Sequence, residues 1–409
     1  MAATLRFDSE LGSFVDEITA DLCRFECAST AGCAPAHVSI EREVMLAAGV
    51  HADVRVQAPK AAAYFVENKL EYSAADLVAR IRRKYAAASP AWRGAQRLAV
   101  LLDRRTVPAG TNIDALLRDA APGLEVEVWN VTDFLERIRT TFGVEITGIS
   151  RASLLDVRSA IEQAQWRTAY DGKFPGDART TTLLWHFSPW ELARLYREQG
   201  IGPNDLLQAK IYEDAIILMA DMCSFSSYVR DTRDPAVTHR RLTEYYSLAR
   251  SAVLNEGGML YQFVGDEVVG VFGLYGSPAV AAEQALRCAR TLCEAGNAVS
   301  TAWQRTLDRV QPSHGVHIGV GMGPLGLLAW RPFSRTHVGF IGEPLNLAAR
   351  LMGQAQSSEI IATNTFYSAL DGERRGLFDE VGAIEAKNVG RIQGWRTTYA
   401  TLEAARGKA

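Results

Sequence analysis

The sequence predicts an α+β protein of two domains, because strand-length and helix-length patterns mix without strict alternation. Its 409 residues exceed what a single hydrophobic core usually supports. A stretch with glycine and proline at residues 198–206 interrupts two patterned regions. We therefore predict an N-terminal α/β domain over residues 1–185, a linker over 186–210 and a C-terminal domain over 211–402 whose mixed sheet is covered by helices on one side.

The composition is that of a soluble globular protein, with 48% hydrophobic and 22% charged residues. A formal net charge of −3 gives no electrostatic basis for tight nucleic-acid binding by the whole chain. No segment has the ~18 consecutive apolar residues that span a bilayer, and residues 1–20 are acidic and mixed. We therefore predict a cytoplasmic protein without a membrane segment, and its six cysteines are expected to be reduced.

The N-terminal half contains apolar runs that predict three strands, at residues 52–56, 64–69 and 97–102. A fourth run, residues 124–138, predicts a further strand followed by a helix. The first two runs present Asp53, Glu67 and Lys69 in the order Asp…Glu-x-Lys. This order resembles the core of restriction-endonuclease-like proteins. In such a nuclease the acids bind a divalent ion and the lysine aids the attacking water. The alternative is an unrelated α/β regulatory domain.

The C-terminal half is easier to interpret. Its predicted strands are residues 215–220, 259–264, 268–272, 315–320, 325–330 and 359–363, with a final strand pair before Tyr399. Its predicted helices are residues 235–254, 279–300 and 345–352. The strands at 259–264 and 268–272 form a hairpin whose tip carries acidic residues.

Two aspartates stand where these strands end. Asp221 follows a buried strand, where a carboxylate has no hydrophobic role, and Asp266 lies at the tip of the hairpin. Carboxylates brought together by adjacent strands form an oxygen-ligand site for Mg²⁺ or Mn²⁺. Two such ions, if ~3.5–4 Å apart, activate a hydroxyl and neutralise a leaving phosphate. Taken singly, each aspartate could instead be a helix cap or a turn residue.

An asparagine and an arginine extend this set. A helix that begins near Pro344 places Asn346 and Arg350 one turn apart on the same face. The amide can orient a sugar, and the guanidinium can stabilise negative charge that develops on a phosphorus centre. Alone, such a pair would indicate only an exposed helix face.

Four ordered motifs resemble the catalytic domain of class III nucleotide cyclases, over about residues 211–402. They are D-x-x-x-F at 221–225, F-V-G-D at 263–266, H-I-G-x-G at 317–321 and I-G-x-x-L-N-x-A-A-R-L at 341–351. The resemblance implies that Asp221 and Asp266 hold two divalent ions, Mg²⁺ or Mn²⁺, with the backbone carbonyl of Met222 as a further ligand. It also implies that Asn346 places the ribose and that Arg350 stabilises the transition state.

The resemblance further implies that Lys387 or Arg391 holds the distal phosphates, a choice that the sequence leaves open. In this family the ribose 3′ oxygen attacks the α-phosphorus, which gives a 3′,5′-cyclic monophosphate and pyrophosphate without a protein nucleophile. The metal pair and the Asn/Arg pair of one site come from opposite chains. A homodimer with two composite sites is therefore expected.

The positions that specify the base depart from the family. Adenylate cyclases have Lys and Asp or Thr there, and guanylate cyclases usually have Glu and Cys, whereas this chain has Gln262 and Gly339. One interpretation is an adenylate cyclase with a variant pocket. The other is a pyrimidine cyclase similar to those of the bacterial anti-phage system Pycsar. Uridine is favoured over cytidine because Gln262 can both donate and accept a hydrogen bond.

The N-terminal domain is then interpreted as a sensor, whose cue is phage nucleic acid or a protein. A sensor or scaffold protein with an inactive cyclase half is the other class of function. The intact set of Asp221, Asp266, Asn346 and Arg350 favours the enzyme.

Overall fold

The computed structural model describes residues 9–47, 50–89, 92–176, 179–328, 338–386 and 390–406. The chain divides into two compact units, Met1–Ala164 and Gln165–Ala409. Within the described ranges, no helix combines the length and the apolar character needed to cross a membrane.

The first unit contains one sheet between helices. Its elements are α1 (Ser9–Ala31), β1 (Ser39–Ala47), β2 (Val50–Gln57), β3 (Ala63–Lys69), α2 (Ala74–Tyr85), β4 (Ala95–Leu102), α3 (Ile113–Ala120), β5 (Glu125–Asn130), α4 (Val131–Phe142) and the start of α5 (Arg151–Ala169). The strand order is β1-β2-β3-β4-β5, antiparallel from β1 to β3 and parallel from β3 to β5. Residues 63–66 of β3 and 98–102 of β4 are apolar on both faces because separate cores bury each face. The strands and the helix predicted in this half are confirmed.

The second unit is a mixed sheet with helices. Its elements are α6 (Thr180–His186), α7 (Pro189–Gln199), β6 (Ile211–Met222), α8 (Phe225–Asp231), α9 (Pro235–Asn255), β7 (Met259–Val264), β8 (Glu267–Phe272), α10 (Pro278–Leu307), β9 (Val316–Leu328), β10 (Gly339–Ile341), α11 (Glu343–Met352), β11 (Glu359–Thr363), α12 (Asn364–Ala369), α13 (Gly372–Arg375), β12 (Asp379–Ala386), β13 (Gly390–Thr398) and α14 (Tyr399–Arg406). The strand order is β12-β13-β11-β9-β6-β8-β7, and β10 pairs with β9. Only the β11–β9 pair is parallel among the strand pairs of the described residues in this sheet. The predicted α+β class is confirmed.

Helices cover both faces of this sheet, so the prediction of helices on one side is wrong. Ile216 and Leu218 of β6 lie in a core with side chains of α9 and α10. Ile217 and Met219, on the opposite face, lie in a core with side chains of α6, α7 and α11. The reason is visible in β6 itself, which is apolar at consecutive positions rather than at alternate ones. The segment predicted as a linker, residues 186–210, includes α7 and contributes buried leucines to this second core.

A second correction concerns β9. Two strands were expected, at 315–320 and 325–330, because glycine and proline separate them. The chain instead forms one strand, Val316–Leu328, and residues 329–330 lie outside the described ranges. The pairing of β9 with β6 shifts register between Tyr212 and Ala215. This irregularity lies opposite Pro324. Proline has no N–H to donate to the ladder, and the register shift leaves Pro324 without a paired residue on β6, so the strand can continue through it.

Candidate active site

Asp221 and Asp266 lie side by side at the ends of neighbouring strands. Asp221 is near the end of β6, opposite His317 of β9. Asp266 belongs to the two-residue turn between β7 and β8, after Gly265, whose φ of 63° lies in the left-handed region that glycine tolerates. The two carboxyl groups are hydrogen-bonded to each other, and each also interacts with the backbone N–H of Met222. The predicted convergence of a strand end and a hairpin tip is therefore present in the fold.

The two carboxyl groups of this pair differ in pKa, and a histidine lies beside one of them. Burial, together with a hydrogen bond to Asp221 and its charge, raises the pKa of Asp266 to about 7. Burial also acts to raise the pKa of Asp221, but hydrogen bonds to His317 and Asp266 outweigh it and the pKa is lowered. His317 Nε2 lies 3.4 Å from Asp221 Oδ2, and hydrogen bonds to Asp221 and Cys223 raise the pKa of His317 to about 9.

The chemistry of this donor set fits a divalent cation. Two carboxylates share a proton, and within the described ranges no lysine or arginine forms an ion pair with either of them. Hard cations prefer such oxygen ligands, and Mg²⁺ typically takes one or two carboxylates together with phosphate and water. Among the residues that the structure describes, no cluster of three or more His, Cys, Asp or Glu forms a closed metal site. The remaining ligands would come from the backbone, including the predicted Met222 carbonyl, and from a phosphorylated substrate.

The raised pKa of Asp266 gives a pH prediction. A metal ion must displace the proton that the two carboxyls share, so the affinity for Mn²⁺ should fall about tenfold for each pH unit below about 7. Calorimetric titration of Mn²⁺ into the full chain between about pH 5.5 and 7 would measure this slope. An affinity that stays constant over that range would contradict the shared-proton arrangement.

The hairpin tip is held in place by α9. The Tyr246 hydroxyl donates a hydrogen bond to the Gly265 carbonyl, and the Tyr246 and Phe263 rings lie 4.5 Å apart. Tyr245, the preceding residue, is fully buried. These contacts fix the turn that carries Asp266, and they were not predicted, because Tyr246 belongs to a helix whose packing the sequence pattern does not specify.

Helix α11 lies directly against β9 at two glycines. A Cβ at Gly319 would lie 2.0 Å from the Ala348 carbonyl oxygen, and a Cβ at Gly321 would lie 2.4 Å from the Pro344 carbonyl oxygen. No side chain can therefore be accommodated at either position. The two glycines of the H-I-G-x-G motif therefore allow α11, which carries Asn346 and Arg350, to lie directly against β9.

Adding a methyl group at Gly319 should displace α11. We expect Gly319→Ala to destabilise the fold by about 1–3 kcal/mol and to lower activity, because the backbone cannot yield without moving the helix. Gly372→Ala is the matched control, since a Cβ there meets nothing within 4 Å. Urea unfolding of both variants measures the difference, and equal stabilities would refute the close-packing interpretation.

Asn346 and Arg350 lie on α11 as predicted, one turn apart. Asn346 is exposed and Arg350 is half-buried, with a buried Nε atom that has no hydrogen-bond partner in the described part of the chain. In those same ranges, no hydrogen bond or ion pair joins either side chain to Asp221 or Asp266.

The two positions predicted to recognise the base are linked by their neighbours. Gln262 is exposed on β7, and Gly339 begins β10. The Phe340 backbone N–H donates to the Tyr261 hydroxyl at 3.4 Å, and the two rings lie 5.1 Å apart. Tyr261 therefore ties β10 to β7 beside both positions, a role that the sequence did not reveal.

The remaining predicted residues have different outcomes. Lys387 lies outside the described residues, and Arg391 is exposed on β13.

In the first unit, Asp53 on β2 lies close to Glu67 and Lys69 on β3, and the Lys69 ammonium contacts both carboxylates. The Asp…Glu-x-Lys residues are therefore brought together, although they already form ion pairs.

Solved structures that resemble this chain include several nucleotide cyclases. The adenylyl cyclase CyaB from P. aeruginosa is 18% identical, with a TM-score of 0.39 and coverage of 46% of this chain and 95% of that chain. The guanylyl cyclase Cya2 is 21% identical, with a TM-score of 0.40 and coverage of 46% and 92%. The guanylate cyclase domain of RhGC from Catenaria anguillulae, solved with GTP, is 20% identical, with a TM-score of 0.35 and coverage of 46% and 98%.

No protein-family model and no curated protein matches the chain. At these identities and TM-scores, the resemblance to solved structures does not identify an activity.

Proposed function

We propose that the second unit is a nucleotide cyclase, which converts a nucleoside triphosphate into a 3′,5′-cyclic monophosphate and pyrophosphate. The observation that carries this proposal is the Asp221–Asp266 pair, two strand-end carboxylates that share a proton and have no lysine or arginine partner in the described ranges. His317 lies beside Asp221, but the Asp266 carboxylate has no cationic partner among the described residues once its proton is lost. A divalent ion bound together with a triphosphate would supply that positive charge.

In this proposal, the residues of the chain bind and orient the substrate. Divalent ions held by Asp221 and Asp266 would supply activation of the 3′ hydroxyl and neutralise charge on the phosphates. Asn346 accepts or donates a hydrogen bond to the ribose and fixes its 3′ oxygen in line with the α-phosphorus. Arg350 donates to the phosphoryl oxygens as negative charge develops on them. The 3′ hydroxyl loses its proton to solvent, its oxygen forms a bond to the α-phosphorus as the bond to pyrophosphate breaks, and Lys387 or Arg391 holds the departing pyrophosphate.

A homodimer is proposed because, in the described part of one chain, no polar contact joins the carboxylate pair to Asn346 or Arg350. An exposed apolar patch supports this. Ile211 and Ile341 are both paired with Gly326, and Leu328 lies two residues further along β9, so their side chains share one face of the sheet. These side chains are 63%, 62% and 40% exposed. A second copy of the chain that covered the patch would remove this apolar surface from water.

We further propose a pyrimidine substrate, with UTP best, CTP second, and ATP and GTP poor. Gln262 is the only polar side chain at the two positions, and its amide matches the donor and acceptor of the uracil edge. Gly339 offers only its backbone, so an adenine amino group would find no acid to accept from it. A cyclic UMP product would fit a second messenger in anti-phage defence, with the first unit as the sensor of a phage nucleic acid or protein cue.

Truncation of Gln262 tests the proposed base contact. Gln262→Ala should lower kcat/KM for UTP about tenfold, because one hydrogen bond to the base is worth about 1.4 kcal/mol. The rate with each triphosphate is followed by pyrophosphate release. If the unmodified chain prefers ATP to UTP, the pocket is that of an adenylate cyclase and the anti-phage role loses its support. If no triphosphate yields pyrophosphate, the cyclase proposal itself fails.

A further inference from the structure

The first unit contains a buried cluster of charged side chains that the proposed cyclase does not use. Asp53 lies on β2, Glu67 and Lys69 lie on β3, and Lys84 lies in the last turn of α2. Glu67 is 0% exposed and Lys69 is 6% exposed. The nuclease-like order of Asp53, Glu67 and Lys69 implies a divalent ion here, so the residues have to be tested against that ion.

Lys84 lies where such an ion would have to bind. Its Nζ is 2.6 and 2.9 Å from the two carboxylate oxygens of Glu67 and 3.5 Å from Asp53 Oδ1. Lys69 bridges the same two carboxylates from its own position, with Nζ 2.9 Å from Glu67 Oε2 and a hydrogen bond to Asp53 Oδ2. Each ammonium therefore contacts both acids.

The remaining contacts complete the cluster. The Tyr85 hydroxyl donates to Glu67 Oε1 at 2.6 Å, and the Asn68 backbone N–H donates to Asp53 Oδ2 at 2.8 Å. All four oxygens of Asp53 and Glu67 thus already accept hydrogen bonds. In this four-residue set two carboxylates face two ammonium groups, so their formal charges sum to zero. A third carboxyl group, that of Asp16, interacts with Asp53 and Lys69 and also with Arg42, whose positive charge offsets it. A divalent ion would have to displace a buried ammonium and leave it unpaired, which is strongly unfavourable.

We propose that Lys84 acts as the built-in cation of this cluster, so that Asp53 and Glu67 bind no divalent ion and the first unit is not a metal-dependent phosphodiester hydrolase. This departs from what the Asp…Glu-x-Lys order implies. The contrast with Asp221 and Asp266 is direct, because that pair has no lysine or arginine partner in the described ranges. The proposal is independent of the cyclase activity.

The test is a Mn²⁺ titration of the full chain, in a background with Asp221→Asn and Asp266→Asn that removes the carboxylate pair of the second unit. We expect no binding below about 1 mM in this background. Adding Lys84→Met should create one Mn²⁺ site with at least about tenfold higher affinity, and adding Glu67→Gln should abolish it. Arg82→Met, at an exposed position of the same helix, is the matched control and should bind no Mn²⁺.

Two results would overturn the proposal. The first is Mn²⁺ binding in the presence of Lys84 that Glu67→Gln removes, and the second is a folded Lys84→Met chain that gains no binding. A second measurement does not depend on the folding of any lysine variant. The unmodified chain, incubated with Mn²⁺ and single- or double-stranded DNA or RNA, should leave them intact, and cleavage that Glu67→Gln abolishes would also overturn it.

Discussion

Replacing Asp221 or Asp266 with alanine is expected to abolish turnover while leaving the fold intact. Each carboxylate is proposed to hold the ions that neutralise the reacting phosphates, a contribution of several kcal/mol. At about 1.4 kcal/mol for each factor of ten, the rate should fall about a thousandfold or more. The variants should fold because both carboxyl groups are only partly buried, near a strand end and in a turn, and neither side chain belongs to the hydrophobic core.

The measurement is steady-state product formation beside thermal unfolding of the same samples. Asp214→Ala is a matched control, because Asp214 is an exposed aspartate near the start of β6, whereas Asp221 lies near the end of the same strand. It should retain the activity of the unmodified chain. Wild-type-like turnover in Asp221→Ala or Asp266→Ala would remove the two-carboxylate site from the mechanism.

A mixture of two inactive variants is expected to regain activity. Arg350→Ala alone should lower the rate by about 10²–10³, as removal of a transition-state donor does elsewhere. If each site takes its carboxylates from one chain and Arg350 from the other, a heterodimer of Asp221→Ala and Arg350→Ala contains one intact site. Random exchange of equal amounts makes half of the dimers mixed, so about a quarter of the activity of the unmodified chain should return.

Two controls make this result interpretable. Each variant mixed with itself should stay inactive, and the double variant Asp221→Ala/Arg350→Ala mixed with either single variant should restore nothing. Ile341→Glu places a charge in the exposed apolar patch and should weaken dimer formation, which sedimentation velocity measures. Full activity of a monomer at high dilution would contradict the composite site.

Local sequence patterns predicted much of the second unit. The hairpin strands and β11 follow from apolar runs bounded by turn residues, and their observed bounds agree to within a residue. The error in β9 arose because Pro324 indicates a break by itself, and only the register of β6 shows how the strand continues. Residues 215–220 of β6 are apolar at consecutive positions because helices cover both faces of the sheet. That run alone did not predict helices on both faces, since buried strands of many architectures have the same pattern.

The candidate site was predictable where chemistry lies within a short motif. Asp221, Asp266, Asn346 and Arg350 were identified from strand ends, a turn and helical spacing. Tyr261 could not be, because its contact with Phe340 joins segments 79 positions apart. Such pairs become neighbours only through the fold.

The same reasoning applies to the first unit. Asp53, Glu67 and Lys69 were recognised as a pattern, and the fold brings them together. Lys84 could not be singled out from the sequence, because it lies in the last turn of a helix, where basic residues are common. Its hydrogen bonds to Glu67, 17 positions away, change the expected chemistry of the cluster from metal binding to self-neutralisation.

The central claim is that this chain forms a cyclic nucleotide, and identification of the product tests it most directly. The purified chain is incubated with Mn²⁺ and an equimolar mixture of ATP, GTP, CTP and UTP, and the products are identified by mass spectrometry against 3′,5′-cyclic standards. We predict 3′,5′-cyclic UMP as the main product, absent from the Asp266→Ala sample. The account would be contradicted by a folded, dimeric chain that forms no cyclic nucleotide, or by a cyclic product that persists when Asp266 is replaced.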